Sequence, residues 1–461
     1  MLRVYSMNYT WRQTVFPIAT IFSFRLLGLF MLIPVFTLHT AELQNATPLL
    51  IGVALGSYGL SQGLLQIPFG LLSDRFGRKP LITLGLILFA IGSLMGAFAH
   101  TINMMIAARI LQGAGAIGSV LIALLADLTP DDQRTKAMAV VGITIGISFS
   151  LAMIISPILA EHTGLSGIFY LTTALALVAI GLLHLVIPTP KADPFHQQRE
   201  SNPKPFKQAL KNPHLQRLNA GIFFQHLLLT STFYVLPLLL KQQIQQGNLS
   251  EPWHFYLPLM LFAFIIMMPI ITFGERKQRM KSVFILAVTL TTLSQILLLF
   301  FNQYWTATCA AMLLYFIAFN VLEATLPSLV SRQATLRNKG AAMGIYSSSQ
   351  FLGIFAGGAL AGLLFQYAGN TGIFLINVGV GLAWFSIALF MKPNAYQFSL
   401  TIPYKNTIKN EEALKHALNQ LPGVNTVSIA HQEQLIYLYI SKEDYIEGSA
   451  EAVVLRSFVP Q

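Results

Sequence analysis

Twelve apolar runs, separated by short polar breaks, occupy most of this chain. About 20 helical residues cross a hydrocarbon layer. The pattern therefore predicts spans at 13–36, 48–72, 80–99, 102–126, 136–160, 166–188, 216–240, 253–273, 281–301, 304–330, 340–367 and 371–391. The longest polar interruption, 189–215, follows Pro188 and holds Pro190, Pro194, Pro203 and Pro205 among Lys, Arg and Gln. It divides the spans six and six. The expected organisation is a first helical bundle at 1–188, a linker at 189–215 and a second bundle at 216–391.

Beyond Met391 the texture changes. Tyr396–Ile402 alternates with period two, as a half-buried strand does. Asn410-Glu411-Glu412 opens a helical pattern through Leu414, Ala417, Leu418 and Leu421, closed by Pro422-Gly423. Val424–Ile429 and Leu435–Ser441 read as strands joined through His431–Gln434, and Tyr445–Leu455 as a last helix. This β-α-β-β-α order suggests a small α+β ferredoxin-like domain at 395–461 whose final strand is missing or very short. Its loop Pro403–Asn410 has no cysteine, so no soft-metal site is expected there.

Composition sharpens the membrane reading. Hydrophobic residues make up 54% and charged residues 10%, against about a quarter charged in soluble domains. The net charge of +11 comes from segregation. With the amino terminus assigned to the cytoplasm, Lys241 is the single lysine or arginine in an outer loop, and Arg25 and Arg109 fall inside spans. All the others lie on inner segments, as the positive-inside rule requires. Both termini are thus expected in the cytoplasm, and nucleic acid is not an expected partner. The first run is too long for a signal-peptide core and lacks an A-x-A-like end. Cys309 is the single cysteine, which excludes disulfides and zinc knots within one chain. No H-E-x-x-H, Walker loop or nucleophile elbow occurs, so neither an enzyme nor an ATP-driven pump is expected.

The second and third spans are joined by Gly70-Leu-Leu-Ser-Asp74-Arg75-Phe-Gly77-Arg78-Lys79. Gly77 allows a turn with φ > 0, Gly70 allows close helix packing, and the basic residues hold the loop inside. This order, G-x-x-x-D-R-x-G-R-[RK], resembles the loop signature of the major facilitator superfamily. The halves also echo each other. Arg134-Thr-Lys-Ala-Met138 precedes the fifth span and Arg337-Asn-Lys-Gly-Ala-Ala-Met343 the eleventh. Gly274–Arg279 stands as a degraded repeat of the ten-residue loop. The resemblance implies an all-α membrane fold of twelve helices in two six-helix halves that rock about a midplane site.

Charges inside a membrane usually face a cavity or a partner. Arg25 lies about 12 residues into its span, roughly 18 Å deep. His226 and Glu323 lie at roughly 15 and 12 Å, within about a turn of the midplane. The resemblance places their spans around the central cavity. A carboxylate keeps its charge beside a cation and takes up a proton more readily when isolated in a dry cavity. Arg25, His226 and Glu323 can thus form a proton-coupled binding site. The other readings are a static Arg25–Glu323 salt bridge and a hydrogen-bonded packing histidine. Tyr58, Gln66, Gln225, Asn320 and Gln350 are further polar cavity candidates.

Arg109-Ile-Leu-Gln112-Gly113-Ala-Gly115 resembles the superfamily's R-x-x-Q-G-x-G motif, whose arginine is linked to proton transfer; a structural arginine bonded to carbonyls is the other reading. Gly142, Gly146 and Ser156-Pro157 resemble the antiporter motif loosely, with serine where that motif has glycine. Asp127 is expected to join Asp74 and Arg75 in a charge cluster that locks the cytoplasmic side. Arg25-Leu-Leu-Gly28, Gln66–Arg75, Ala318–Glu323 and Tyr346–Leu352 resemble the YajR-type branch, which resembles drug/proton antiporters and carries a small C-terminal domain. The branch implies a bacterial inner-membrane protein, expected to be monomeric and without cofactor. It implies proton-driven export of small amphipathic organic molecules. Symport or import of a polar metabolite and a signalling receptor are the alternatives.

Overall fold

The computed structural model describes residues 10–129, 131–189, 204–334, 339–391, 397–404, 411–430, 435–441 and 444–456. Two compact units result: Met1–Ile271 with Phe284–Met391, and Thr272–Val283 with Lys392–Gln461.

The helical elements are α1 (Val15–Phe30), α2 (Phe36–Thr40), α3 (Pro48–Phe76), α4 (Arg78–Ala97), α5 (Ile102–Ala114), α6 (Gly118–Leu128) and α7 (Asp131–Leu185). They continue with α8 (Lys204–Lys211), α9 (Pro213–Gln245), α10 (Pro252–Arg276), α11 (Met280–Phe301), α12 (Trp305–Gln333) and α13 (Lys339–Leu389). Nine helices among the described residues are long and apolar enough to cross a membrane, α5 and α6 counting as one; α1 is a shorter apolar helix. This is a multi-pass membrane architecture.

Helix ends follow local chemistry. Thr47 caps α3 by accepting from the Leu50 amide at 3.3 Å, with Pro48 in the first turn. Asn212 caps α9 the same way through the His214 amide at 2.9 Å. The long α7 and α13 each contain one glycine in a left-handed conformation: Gly164 (φ 66°, ψ −168°) and Gly369 (φ 60°, ψ −153°). A side chain is strained at such a φ, and each break falls between two expected spans.

Three features depart from the expected spans. The first stops as a helix at Phe30 and resumes as α2 at Phe36. The fourth breaks at Gly115–Ile117, between α5 and α6. The expected linker contains helix α8 and the start of α9; its residues 190–203 lie outside the described residues.

Helix α13 packs against both α3 and α9. Gly358 and Gly362 press on α3, where a methyl at Gly358 would stand 2.6 Å from Gly52 O. Gly353 and Gly357 press on α9, where added methyls would stand 2.3 Å from Phe223 O and 2.3 Å from Leu227 O respectively. Two successive G-x-x-x-G motifs thus let one helix approach two others at backbone distance, where dispersion replaces the missing hydrophobic drive of a bilayer.

In the second unit, β1 (Gln397–Pro403), β2 (Val424–Ala430) and β3 (Leu435–Ser441) form a sheet in the order β1-β3-β2. Both pairings are antiparallel, β1 from Gln397↔Ser441 to Pro403↔Leu435. Helices α14 (Glu411–Asn419) and α15 (Ser449–Arg456) complete it. Leu414, Leu418, Ile436, Leu438 and Val454 form its core. The last helix starts at Ser449 rather than Tyr445, after Gly448 at φ 86°. Residues 405–410 and 431–434, and 457–461 where a last strand would follow, lie outside the described residues.

Candidate functional site

Three polar clusters gather the candidate residues. The first lies where α3 meets α4. Gly77 (φ 93°) lets α4 start directly after α3, which returns Arg78 over the last turn of α3. Arg78 pairs with Asp74, donates to Ser73 Oγ at 2.6 Å, and reaches Asp127 Oδ2 on α6 at 3.0 Å. Lys79 Nζ donates to Ile187 O at 2.5 Å.

The expected charge cluster is corrected at its arginine, and the close packing expected at Gly70 is not found. Arg78, not Arg75, joins the two aspartates; Arg75 lies over the Phe76 ring instead. The cluster's members all belong to α3, α4 and α6, so these bonds fasten helices of one half and do not cross to the other. Gly70 is not needed for close approach, because a methyl there would meet Ser119 Oγ at an ordinary 3.6 Å. Its carbonyl instead accepts from Ser73 Oγ at 2.7 Å.

The second cluster lies mid-helix in the first half. Arg25 Nη2 donates to Tyr58 Oη at 3.1 Å and to Gln62 Oε1. Arg109 donates to Gln112 Oε1, and its guanidinium stacks over the Tyr58 ring at 4.9 Å and the Phe36 ring at 5.8 Å. Gln112 passes the chain on to Ser93 Oγ at 2.9 Å. Both arginines are buried, 3% and 1% exposed. Gly113 and Gly115 make this possible, since methyls there would stand 2.3 Å from Tyr58 O and 2.2 Å from Gly85 O. The Arg109 bond is to a side chain, not to the carbonyls of the structural reading.

The third cluster lies in the second half. Gln225 Nε2 donates to Glu323 Oε2 at 3.1 Å, and Gln350 Nε2 approaches Glu323 Oε1 at 3.4 Å and His226 Nε2 at 2.9 Å. His226 Nδ1 is 3.2 Å from Ile222 O, a pattern that suits a neutral imidazole protonated on Nδ1. His226 Nε2 is 3.9 Å from Glu323 Oε2. Tyr315 and Tyr346 are within electrostatic reach of Glu323. Their hydroxyls, Gln225 Oε1 and Asn320 Nδ2 are buried without a hydrogen-bond partner.

The static Arg25–Glu323 salt bridge is not formed: each group is bonded within its own half. On the Pro48 side of these clusters, Phe149 of α7 packs on Phe30, Phe319 and Phe316, with centroids 5.2, 5.0 and 6.4 Å apart. Toward the other end, α1 and α7 line a cavity of about 330 Å³ that includes Phe16, Thr20, Ser23 and Thr144. Gly142 and Gly146 are loosely surrounded, Gly146 reaching only Phe264 at 3.6 Å. Ser156 donates to Met31 O, where α1 unwinds, and Pro157 lies within α7. Sequence reasoning missed Gln62, Ser93, Phe36, Tyr315 and the α5–α6 break. Gln62 carried a signal, being one helical turn from both Tyr58 and Gln66.

The model of the Major Facilitator Superfamily matches residues 18–280 and 259–414. The chain belongs to the major facilitator superfamily. It is 41% identical over 443 residues to the inner membrane transport protein YajR of Escherichia coli (strain K12), covering 95% of this chain and 96% of that protein. It is 26% identical to the quinolone resistance protein NorA of Staphylococcus aureus (strain COL), covering 79% of this chain and 93% of NorA. A bacterial homologue of the human lysosomal transporter Spinster, solved inward-facing and occupied, shares the fold at a TM-score of 0.66 and 12% identity. That likeness covers 82% of this chain and 96% of the solved one. As a superfamily member, the chain is a transporter of small molecules.

Proposed function

We propose that the chain is a proton-coupled secondary transporter that exports small amphipathic organic molecules by alternating access between two six-helix halves. The observation that carries this reading is the half-buried Glu323 cluster: a carboxylate held by two amides, with the His226 imidazole 3.9 Å away and no Lys or Arg bonded to it among the described residues. A carboxylate so placed can gain and lose a proton as access alternates. Buried polar atoms without partners around it favour a site completed by a ligand. The packing of Phe149 of the first half on Phe316 and Phe319 of the second suits a state closed toward the Pro48 end.

Twelve passes follow if α7 and α13 each cross twice, about their glycine breaks, and α1 crosses once. The charge distribution then puts both termini in the cytoplasm. YajR's name supports an inner-membrane location, and NorA's supports export. The described strands of the tail domain, in the order β1-β3-β2, are those of a ferredoxin-like fold up to its third strand. The chain works as a monomer without cofactor, using the proton gradient. Symport is the second reading, kept by Ser156 in place of the antiporter glycine.

Flux of a compound panel in proteoliposomes under an imposed ΔpH tests the proposal. Substrate and proton moving in opposite directions, with loss of ΔpH-driven flux in Glu323→Gln, is the expected result. Movement in the same direction would favour symport. Flux indifferent to both ΔpH and Glu323→Gln would refute proton coupling.

A further inference from the structure

The first half holds two buried guanidinium groups, and among the described residues neither Arg25 nor Arg109 has a carboxylate partner. A charged side chain at mid-membrane depth is costly and normally has a partner, so an uncompensated pair calls for an explanation. Arg109 is partly satisfied by two aromatic faces. Arg25 is not: its bonds to Tyr58 and Gln62 both use Nη2, and Nε is buried without a partner. Gln62 Nε2 and Gln66 Oε1 beside it are likewise buried and unpartnered.

A second source of positive potential converges on the same place. The α5–α6 break makes Gly118 the first residue of an 11-residue helix inside the membrane, and no side chain caps it. Ala116 and Ile117 amides bond back to Ala114 O and Gly115 O at 2.9 and 2.8 Å, and the Leu121 amide bonds to Ile117 O at 2.9 Å. Among the described residues, the Ser119 and Val120 amides make no bond to the Gly115 and Ala116 carbonyls that a continuous helix would offer them. A helix N-terminus carries roughly half a positive charge and binds anions. Here it faces the arginine: a methyl at Gly118 would stand 3.3 Å from Arg25 Nη1 and 3.2 Å from Gln66 Nε2. A guanidinium and a positive helix end, both desolvated, repel each other unless an anion lies between them.

We propose that Arg25, Gln62, Gln66 and the α6 N-terminus form the head-group site for a transported molecule that carries a carboxylate. A carboxylate offers acceptors to the arginine Nε, to Gln62 Nε2 and to the uncapped helix end; Gln66 can contribute to it only through Nε2, the atom nearest Gly118, and not through its unpartnered Oε1. Half-helix N-termini serve anionic substrate groups in this way elsewhere. Its single negative charge also brings two buried cations and Glu323 to neutrality. The proposal rests on the transporter reading and adds the substrate's chemical class to it.

The test uses the full chain in nanodiscs and a matched set of probes: 2-naphthylacetate, 2-naphthylethanol and 2-naphthylethylammonium. Calorimetric titration should show the carboxylate binding at least about tenfold tighter than the other two, the worth of a charged hydrogen bond. Arg25→Gln should bring the three within about twofold of each other. Gly118→Ala, which narrows the cradle by one methyl, should weaken the carboxylate about fivefold and leave the alcohol unchanged; it carries the test if Arg25→Gln does not fold. Equal binding of the three by the wild type, no carboxylate binding, or a preference untouched by both substitutions would overturn the site. So would displacement of the carboxylate by millimolar chloride, which would reassign the site to a halide. Flux of the same probes separates the two proposals. Selective carboxylate binding without flux of any probe refutes transport alone, whereas flux of the ammonium probe with no head-group preference refutes the anion site alone.

Discussion

The two halves solve the same problem with opposite charges. Counted from the helix starts at Ile102 and Trp305, Gly118 and Glu323 sit at nearly the same level. At that level the first half breaks its helix and presents an uncapped N-terminus beside Arg25. The second half keeps α12 continuous and places a carboxylate there, held by Gln225 and Gln350. One half is therefore permanently cationic and the other titratable. The difference teaches that repeated helices need not share chemistry: the backbone repeats, as Gly164 and Gly369 show, while the polar groups divide the work.

The repeat is also held together differently, which suggests the largest expected effect. Thr172 and Asn377 follow their glycine breaks at the same spacing. The Thr172 hydroxyl donates to Ile168 O on its own helix at 2.8 Å. Asn377 accepts from Ser231 Oγ at 2.8 Å and donates to Gln295 Oε1 at 2.9 Å, joining α9, α11 and α13. Asn377→Ala strands these buried partners and should cost about 2–3 kcal/mol, whereas Thr172→Ala should cost under about 1 kcal/mol. Thermal unfolding of the purified variants checks the pair, and equal losses would break the comparison.

A smaller effect is expected at the charged turn. Arg78→Ala removes bonds to Asp74, Asp127 and Ser73 together and should cost about 1–2 kcal/mol, discounted for partial exposure. Arg75→Ala should leave the melting temperature unchanged within error. A larger loss from Arg75 would restore the arrangement expected from sequence.

Much of the architecture was legible because bilayer physics writes it in long apolar runs and segregated charge. The strands at 397–403, 424–430 and 435–441 fall on the segments read as strands at 396–402, 424–429 and 435–441, the first of them from its alternation. What escaped depended on geometry across helices. The sequence names Arg25 and Glu323 but cannot say that each is bonded within its own half. Nor does Gly113-Ala-Gly115 announce a broken helix, because the same glycines serve close packing in an unbroken one. Arg75 and Arg78 look alike in sequence, and only the turn at Gly77 decides which one comes back over Asp74.

The central claim is that the second half handles the proton and the first half the cargo. Its most direct test compares ΔpH-driven accumulation with exchange at equal pH, using any substrate found by the flux panel, in Glu323→Gln and Arg25→Gln. The account predicts that Glu323→Gln keeps exchange and loses accumulation, and that Arg25→Gln loses both. Loss of exchange in Glu323→Gln together with full exchange in Arg25→Gln would contradict it.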